Sequence, residues 1–145
     1  FVTMLAGLAG VDEADYPGST FPDVSVGQWY APSVAWAASE EIVSGTGSGR
    51  FEPNRNITRQ EMAQIMASYL AWKGVDTTPG TDPADYNIPD RADIAGWALD
   101  SVCFCYEKGL LSGRDTGFAP LANASRAEAC VVLCELNDFL LKSGG

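Results

Sequence analysis

The chain says the same thing twice. Phe21-Pro22-Asp23-Val24 leads to Trp29-Tyr30, Val34 and Ala37, then Ile42-Val43-Ser44-Gly45, Phe51, Pro53 and Ile57-Thr58-Arg59-Gln60-Glu61. About 67 residues later come Ile88-Pro89-Asp90, Trp97, Val102, Cys105, Leu110-Leu111-Ser112-Gly113, Phe118, Pro120 and Ala124-Ser125-Arg126-Ala127-Glu128. The Trp to Ser-Gly and Phe to Arg to Glu spacings are the same in both copies. Single-residue slips fall only in the connections. That pattern marks a duplicated structural unit, so each copy has to take the same local fold.

A third copy is present as its tail. Phe1-Val2-Thr3-Met4-Leu5 aligns with Met62-Ala63-Gln64-Ile65-Met66 and Ala129-Cys130-Val131-Val132-Leu133. Gly10-Val11-Asp12 matches Gly74-Val75-Asp76. A helix opening at residue 1 without an N-cap signal is read as the continuation of a cropped first repeat. The expected organisation is 1–12, the last helix of a truncated first repeat; 21–76, a second repeat; and 88–141, a third.

Within each copy apolar residues recur with helical period, as in Val34, Ala37, Ala38 and Ile42, or Met62, Ile65, Met66, Tyr69 and Leu70. Helices are predicted over 1–9, 30–42, 59–72, 97–108 and 126–141, with irregular loops at 44–57 and 112–124. Pro32 suits a first turn, and Gly10 suits a C-terminal cap. No stretch alternates with period two for long enough to require a sheet. The fold class expected is all-α, in helix–loop–helix units. One helix pair cannot bury its own apolar face, so the units must share a core.

Charge narrows the function. The formal net charge is −10 and histidine is absent, which argues against nucleic acid as a partner. No apolar run is long enough to span a bilayer. Without histidine there is no Ser–His–Asp or Cys–His arrangement, and no phosphate-cradling glycine motif is present. No catalytic residues, cofactor or metal are expected. The four cysteines, Cys103, Cys105, Cys130 and Cys134, stand where the other copy has Ala35, Ala37, Ala63 and Ala67. They are read as reduced core residues, against a disulfide or zinc alternative.

One step carries candidate chemistry. Thr58-x-x-Glu61 and Ser125-x-x-Glu128 match a helix capping box. The arginine inside each box, Arg59 and Arg126, falls at the first helical position, where a cation opposes the helix dipole. Two explanations stay open: an ion pair with Asp23 or Asp90, or an anion site built from free helix amides and the guanidinium.

The pattern resembles the S-layer homology family, the cell-wall-anchoring repeats of bacterial surface proteins. The resemblance rests on Phe21-x-Asp23-Val24, Trp29-Tyr30, Val34, Ile42-Val43-Ser44-Gly45, Gly49, Phe51, Pro53 and Ile57-Thr58-Arg59-x-Glu61. It implies three repeats in a pseudo-threefold assembly. It also implies non-covalent binding of an anionic, pyruvylated secondary cell-wall polysaccharide, outside the cell at the wall or S-layer. Carried over by position, Arg59 and Arg126 become the leading ligand contacts, with Thr58, Ser125, Asp23 and Asp90 around them. Trp29 and Trp97 either stack on sugar rings or pack into the core. Gly45 and Gly113 either admit the sugar or serve turn geometry. Neither membrane insertion nor nucleic acid is expected, and self-association or completion by the missing first repeat is. The alternative is a protein–protein or S-layer lattice module with a degenerate glycan site. One departure stands out: the family's glycine before the Ile-Val-Ser-Gly step survives as Gly109 but is Glu41 in the second repeat. If the turn needs positive φ, glutamate there is strained.

Overall fold

The computed structural model describes residues 1–16, 21–25, 27–43, 51, 56–80, 82, 85–86, 88–111 and 117–142. Among these the architecture is all-helical. The α-helices are α1 (Val2–Ala9), α2 (Ala31–Ser39), α3 (Arg59–Trp72), α4 (Leu99–Glu107) and α5 (Arg126–Lys142). Short 3₁₀ turns occupy Glu13–Asp15, Arg91–Asp93 and Gly96–Ala98. An isolated antiparallel bridge joins Thr58 to Asn123. Each complete repeat thus has a leading helix (α2 or α4) and a trailing helix (α3 or α5), and α1 is a trailing helix by sequence.

The helix ends follow from local chemistry. Thr58 and Glu61 form the reciprocal capping box that opens α3. Ser125 and Glu128 do the same at α5: the Glu128 amide donates to Ser125 Oγ at 3.0 Å. Gly10 ends α1 in the left-handed region at φ 72°. The leading helices end alike: Ile42 N–H donates to Ala37 O at 2.8 Å and Leu110 N–H to Cys105 O at 2.9 Å. Those closures need a left-handed residue just before, and Gly109 at φ 70° and Glu41 at φ 61° supply it. The turn is therefore kept in both repeats, and Glu41 adopts a conformation that disfavours a Cβ. This left-handed turn also ends α2 at Ser39, earlier than its apolar stripe suggests. The fourth helix opens as a 3₁₀ turn carrying Trp97, with α4 beginning at Leu99.

The chain divides into two compact units, 1–55 and 56–145. In the first, α1 packs on α2. Val24, Ala31 and Val34 form a buried cluster beneath Phe21, Tyr30 and Phe51. In the second, α3 packs on α4, burying Met62, Ala63, Met66 and Leu70 together with Val102, Cys103 and Cys105. Phe104 of α4 meets Phe139 of α5 edge to face, with centroids 6.3 Å apart. In each unit a trailing helix receives the leading helix of the next repeat, so the boundary between units falls inside the second repeat.

Candidate functional site

Arg59 is held from three directions. It is 3% exposed. Its Nε donates to Phe118 O at 2.9 Å, its guanidinium lies 5.0 Å from the Phe118 ring centroid, and Nη1 pairs with Glu128 Oε2. Glu128 therefore has two tasks. One oxygen takes part in the α5 capping box through the Ser125 amide, while the other neutralises Arg59. That answers the sequence puzzle: the cation disfavoured at the start of α3 sits against a carboxylate at the start of α5, where a negative charge is favoured. The Arg of one repeat is thus bound to the Glu of the following repeat.

The helix amides beside Arg59 are not free. Arg59 N–H donates to Ala122 O at 2.9 Å and Gln60 N–H to Pro120 O at 3.0 Å. Glu61 N–H turns to Thr58 Oγ1 at 3.4 Å. The loop at 118–124 closes over the helix start and takes the place an anion would need. Asp90 pins that loop from below, accepting from the amides of Phe118 and Ala119, both at 2.8 Å. Asp23 accepts from the Phe51 amide at 2.9 Å in the other unit. The repeated aspartate is thus a clamp on the Phe-x-Pro loop. Gly117 makes room for the clamp, since a Cβ there would meet Asp90 Oδ1 at 2.5 Å.

The tryptophans stand in the open. Trp29 is 72% exposed and Trp97 59%, so the core-packing reading of both is set aside. Each precedes a leading helix at the same place in its repeat. Trp29 rests edge-on against Tyr30, with centroids 5.4 Å apart. Trp97 is placed by a residue that periodicity does not single out: Gln60, 6% exposed, whose Oε1 accepts from Ala95 N–H at 2.9 Å. In the sequence only its place after the arginine marks Gln60, and the other copy has Ala127 there; its burial is seen in the fold alone. Gly45 and Gly113 lie outside the described residues, and so does the Arg126 side chain.

The cysteines divide. Cys103 and Cys105 are buried on α4 as expected, and burial pushes the Cys105 thiol up to about 12. Cys130 and Cys134 are exposed on α5, which corrects the core assignment for this pair: their side of α5 meets solvent. All four are free thiols. Among the described residues no group of three or more His, Cys, Asp or Glu side chains is placed to hold a metal ion, and no helix is long and apolar enough to cross a membrane.

The S-layer homology domain profile matches residues 20–63 and 87–130, more than half of the chain. The chain belongs to the S-layer homology domain family. Among similar proteins, the amylopullulanase of Thermoanaerobacterium thermosulfurigenes is 32% identical over 145 residues, covering 99% of this chain and 7% of that protein. The S-layer protein sap of Bacillus anthracis is 30% identical over 144 residues, covering 98% of this chain and 16% of the relative. The cellulosome-anchoring protein of Acetivibrio thermocellus is 29% identical over 135 residues, covering 90% of this chain and 29% of the relative. The chain thus spans a small part of these relatives, and the S-layer homology repeats are what they share with it. Enzyme names among them belong to proteins of which this module is a minor fraction.

Proposed function

We propose that this S-layer homology module anchors the protein that bears it to the bacterial cell wall, by non-covalent binding of an anionic, pyruvylated secondary cell-wall polysaccharide. The observation that carries this reading is the pair of exposed indoles, Trp29 and Trp97, at equivalent places in two repeats. A large aromatic left in water and held by a tight turn is suited to stacking on a sugar ring. Relatives named for the S-layer and for cellulosome anchoring support the cell-surface setting. In this reading Arg59 acts from behind. With Glu128 it fixes the start of α3, and Gln60 then holds the Trp97 turn. Arg126 is the cation assigned to the acidic group of the polymer, where a planar guanidinium grips a carboxylate better than an ammonium does.

Co-sedimentation with purified Gram-positive cell walls, before and after extraction of the secondary polymer, tests this. Trp29→Ala and Trp97→Ala together should abolish pelleting without lowering the melting temperature, and Arg126→Lys should weaken it. Pelleting that survives polymer extraction would overturn the glycan reading. A second reading, protein–protein or lattice contact with a degenerate glycan site, draws support from the buried Arg59–Glu128 pair. It predicts self-association that is insensitive to added polymer.

A further inference from the structure

The linkers that enter the two complete repeats share a turn. Asp12-Glu13-Ala14-Asp15-Tyr16 matches Asp82-Pro83-Ala84-Asp85-Tyr86. In both, the amide of the second aspartate donates to the carbonyl of the first, at 3.1 Å from Asp15 and 2.8 Å from Asp85. In the first unit this turn rests on α2. The linkers differ in length: Gly10-Val11-Asp12 runs straight into the turn, whereas Gly74-Val75-Asp76 is followed by residues 77–81 before Asp82. A second departure lies on the leading helix. Glu107 ends α4 where α2 has Ser39, whose hydroxyl donates to Trp36 O of its own helix at 2.9 Å. The two departures meet. Glu107 Oε2 accepts from the Gly80 amide at 3.0 Å and from the Tyr86 hydroxyl at 2.9 Å. Gly80 fits because a Cβ there would lie 2.5 Å from Glu107 Oε1. The Gly80 amide and the Tyr86 hydroxyl hold the Glu107 carboxyl below the usual carboxylate range, and its charge strengthens both bonds.

Cys103 marks the side of α4 concerned. It lies one turn from Glu107 on the same face. Cys105 points the other way, its Sγ donating to Ala63 O of α3 at 3.7 Å. Cys103 is buried, and burial raises its thiol, yet Asp100, Arg91 and Glu107 act on it as well. Burial alone raises Cys105. A buried thiol within reach of surface charges has a thin cover. We propose that Glu107 is a latch that holds the third repeat's linker against α4 over Cys103, and that without it the linker lifts at Gly80 and Tyr86 while α3 and α4 stay packed. Local opening of this kind suits a segment with little buried surface and exposed hydrogen bonds. None of residues 76–80 is buried, and both bonds to Glu107 are exposed.

Alkylation of the native full chain by N-ethylmaleimide at neutral pH, read at each cysteine by fragment-ion mass spectrometry, tests this. Glu107→Ala should speed Cys103 about fivefold or more over the parent chain and leave Cys105 at the parent rate. Tyr86→Phe removes one donor without touching α4, and Gly80→Ala pushes the carboxylate off both donors. Each should speed Cys103 in the same direction by a smaller factor. Tyr86→Phe added to Glu107→Ala should add nothing, because the hydroxyl then has no carboxylate to meet. Unchanged Cys103 reactivity in all three variants overturns the proposal. So does equal acceleration of Cys103 and Cys105, which reports opening of the whole unit. Acceleration confined to Glu107→Ala, or a further gain in the double variant, overturns it too, since the effect would then arise at the helix end and not at the linker.

Discussion

Arg59 was legible in the sequence as an anomaly but not in its resolution. Two copies of a cation at a helix start demand a compensating partner, and one-dimensional spacing cannot reach across 69 residues to Glu128. The position now makes a definite demand on arginine. Arg59→Lys keeps the charge but loses the Phe118 carbonyl bond and the planar stacking, so it should destabilise the second unit by about 2 kcal/mol or more. Chemical denaturation checks this; an unchanged midpoint would show that the Phe118 carbonyl bond and the ring contact contribute nothing. Glu41 is the converse case: the sequence made strain conditional on a positive φ at this turn, and the fold supplies that φ at 61°. Glu41→Gly relieves the left-handed strain while adding unfolded-state freedom, and should stabilise by up to about 1 kcal/mol. Gly109→Glu should cost about the same in the other repeat, with melting temperature as the readout for both. The Cβ at Gly109 meets nothing within 4 Å, so backbone strain alone is being measured.

At the scale of elements, helix position was legible and helix surroundings were not. Capping boxes and glycine caps mark ends in local chemistry, and so α3 begins and ends where its pattern says. The cysteines show the limit. Identical alanine-to-cysteine replacements on α4 and α5 lead to opposite surroundings, because exposure depends on which helix lies alongside. Thiol chemistry makes the division measurable. With Cys105 pushed up to about 12 by burial and Cys103 raised by burial and by nearby Asp100, alkylation at neutral pH should modify Cys130 and Cys134 first. The buried pair should react only on unfolding. A thiol whose folded value lies above its unfolded one favours the folded state fully below the unfolded value. For Cys105, stability should therefore fall as pH rises from about 9 towards 12, and Cys105→Ala should flatten that alkaline loss. An alkaline limb unchanged in Cys105→Ala would refute the assignment.

At the scale of the whole molecule, the sequence divides the chain by repeats, whereas the compact units fall at 1–55 and 56–145. Residues 56–145 expressed alone should unfold cooperatively with α3 seated on α4. Residues 77–145, a cut at the repeat boundary, should lose that cooperativity, because removing α3 uncovers the face of α4 that holds Cys105. Circular dichroism melts of the two fragments decide between unit and repeat as the folding element. What the sequence determined by itself was the duplication, the all-helical class, the capping boxes and the two-copy placement of Trp, Asp and Arg, since all of these rest on spacing and local hydrogen bonding. What only the tertiary structure decided was the partner of each group. Arg59 meets the Glu of the next repeat, the aspartates clamp a loop, the indoles face water and one thiol pair is left uncovered. Spacing along a chain sets which face a side chain occupies, but burial and pairing depend on the element packed against that face, and that element comes from elsewhere in the chain.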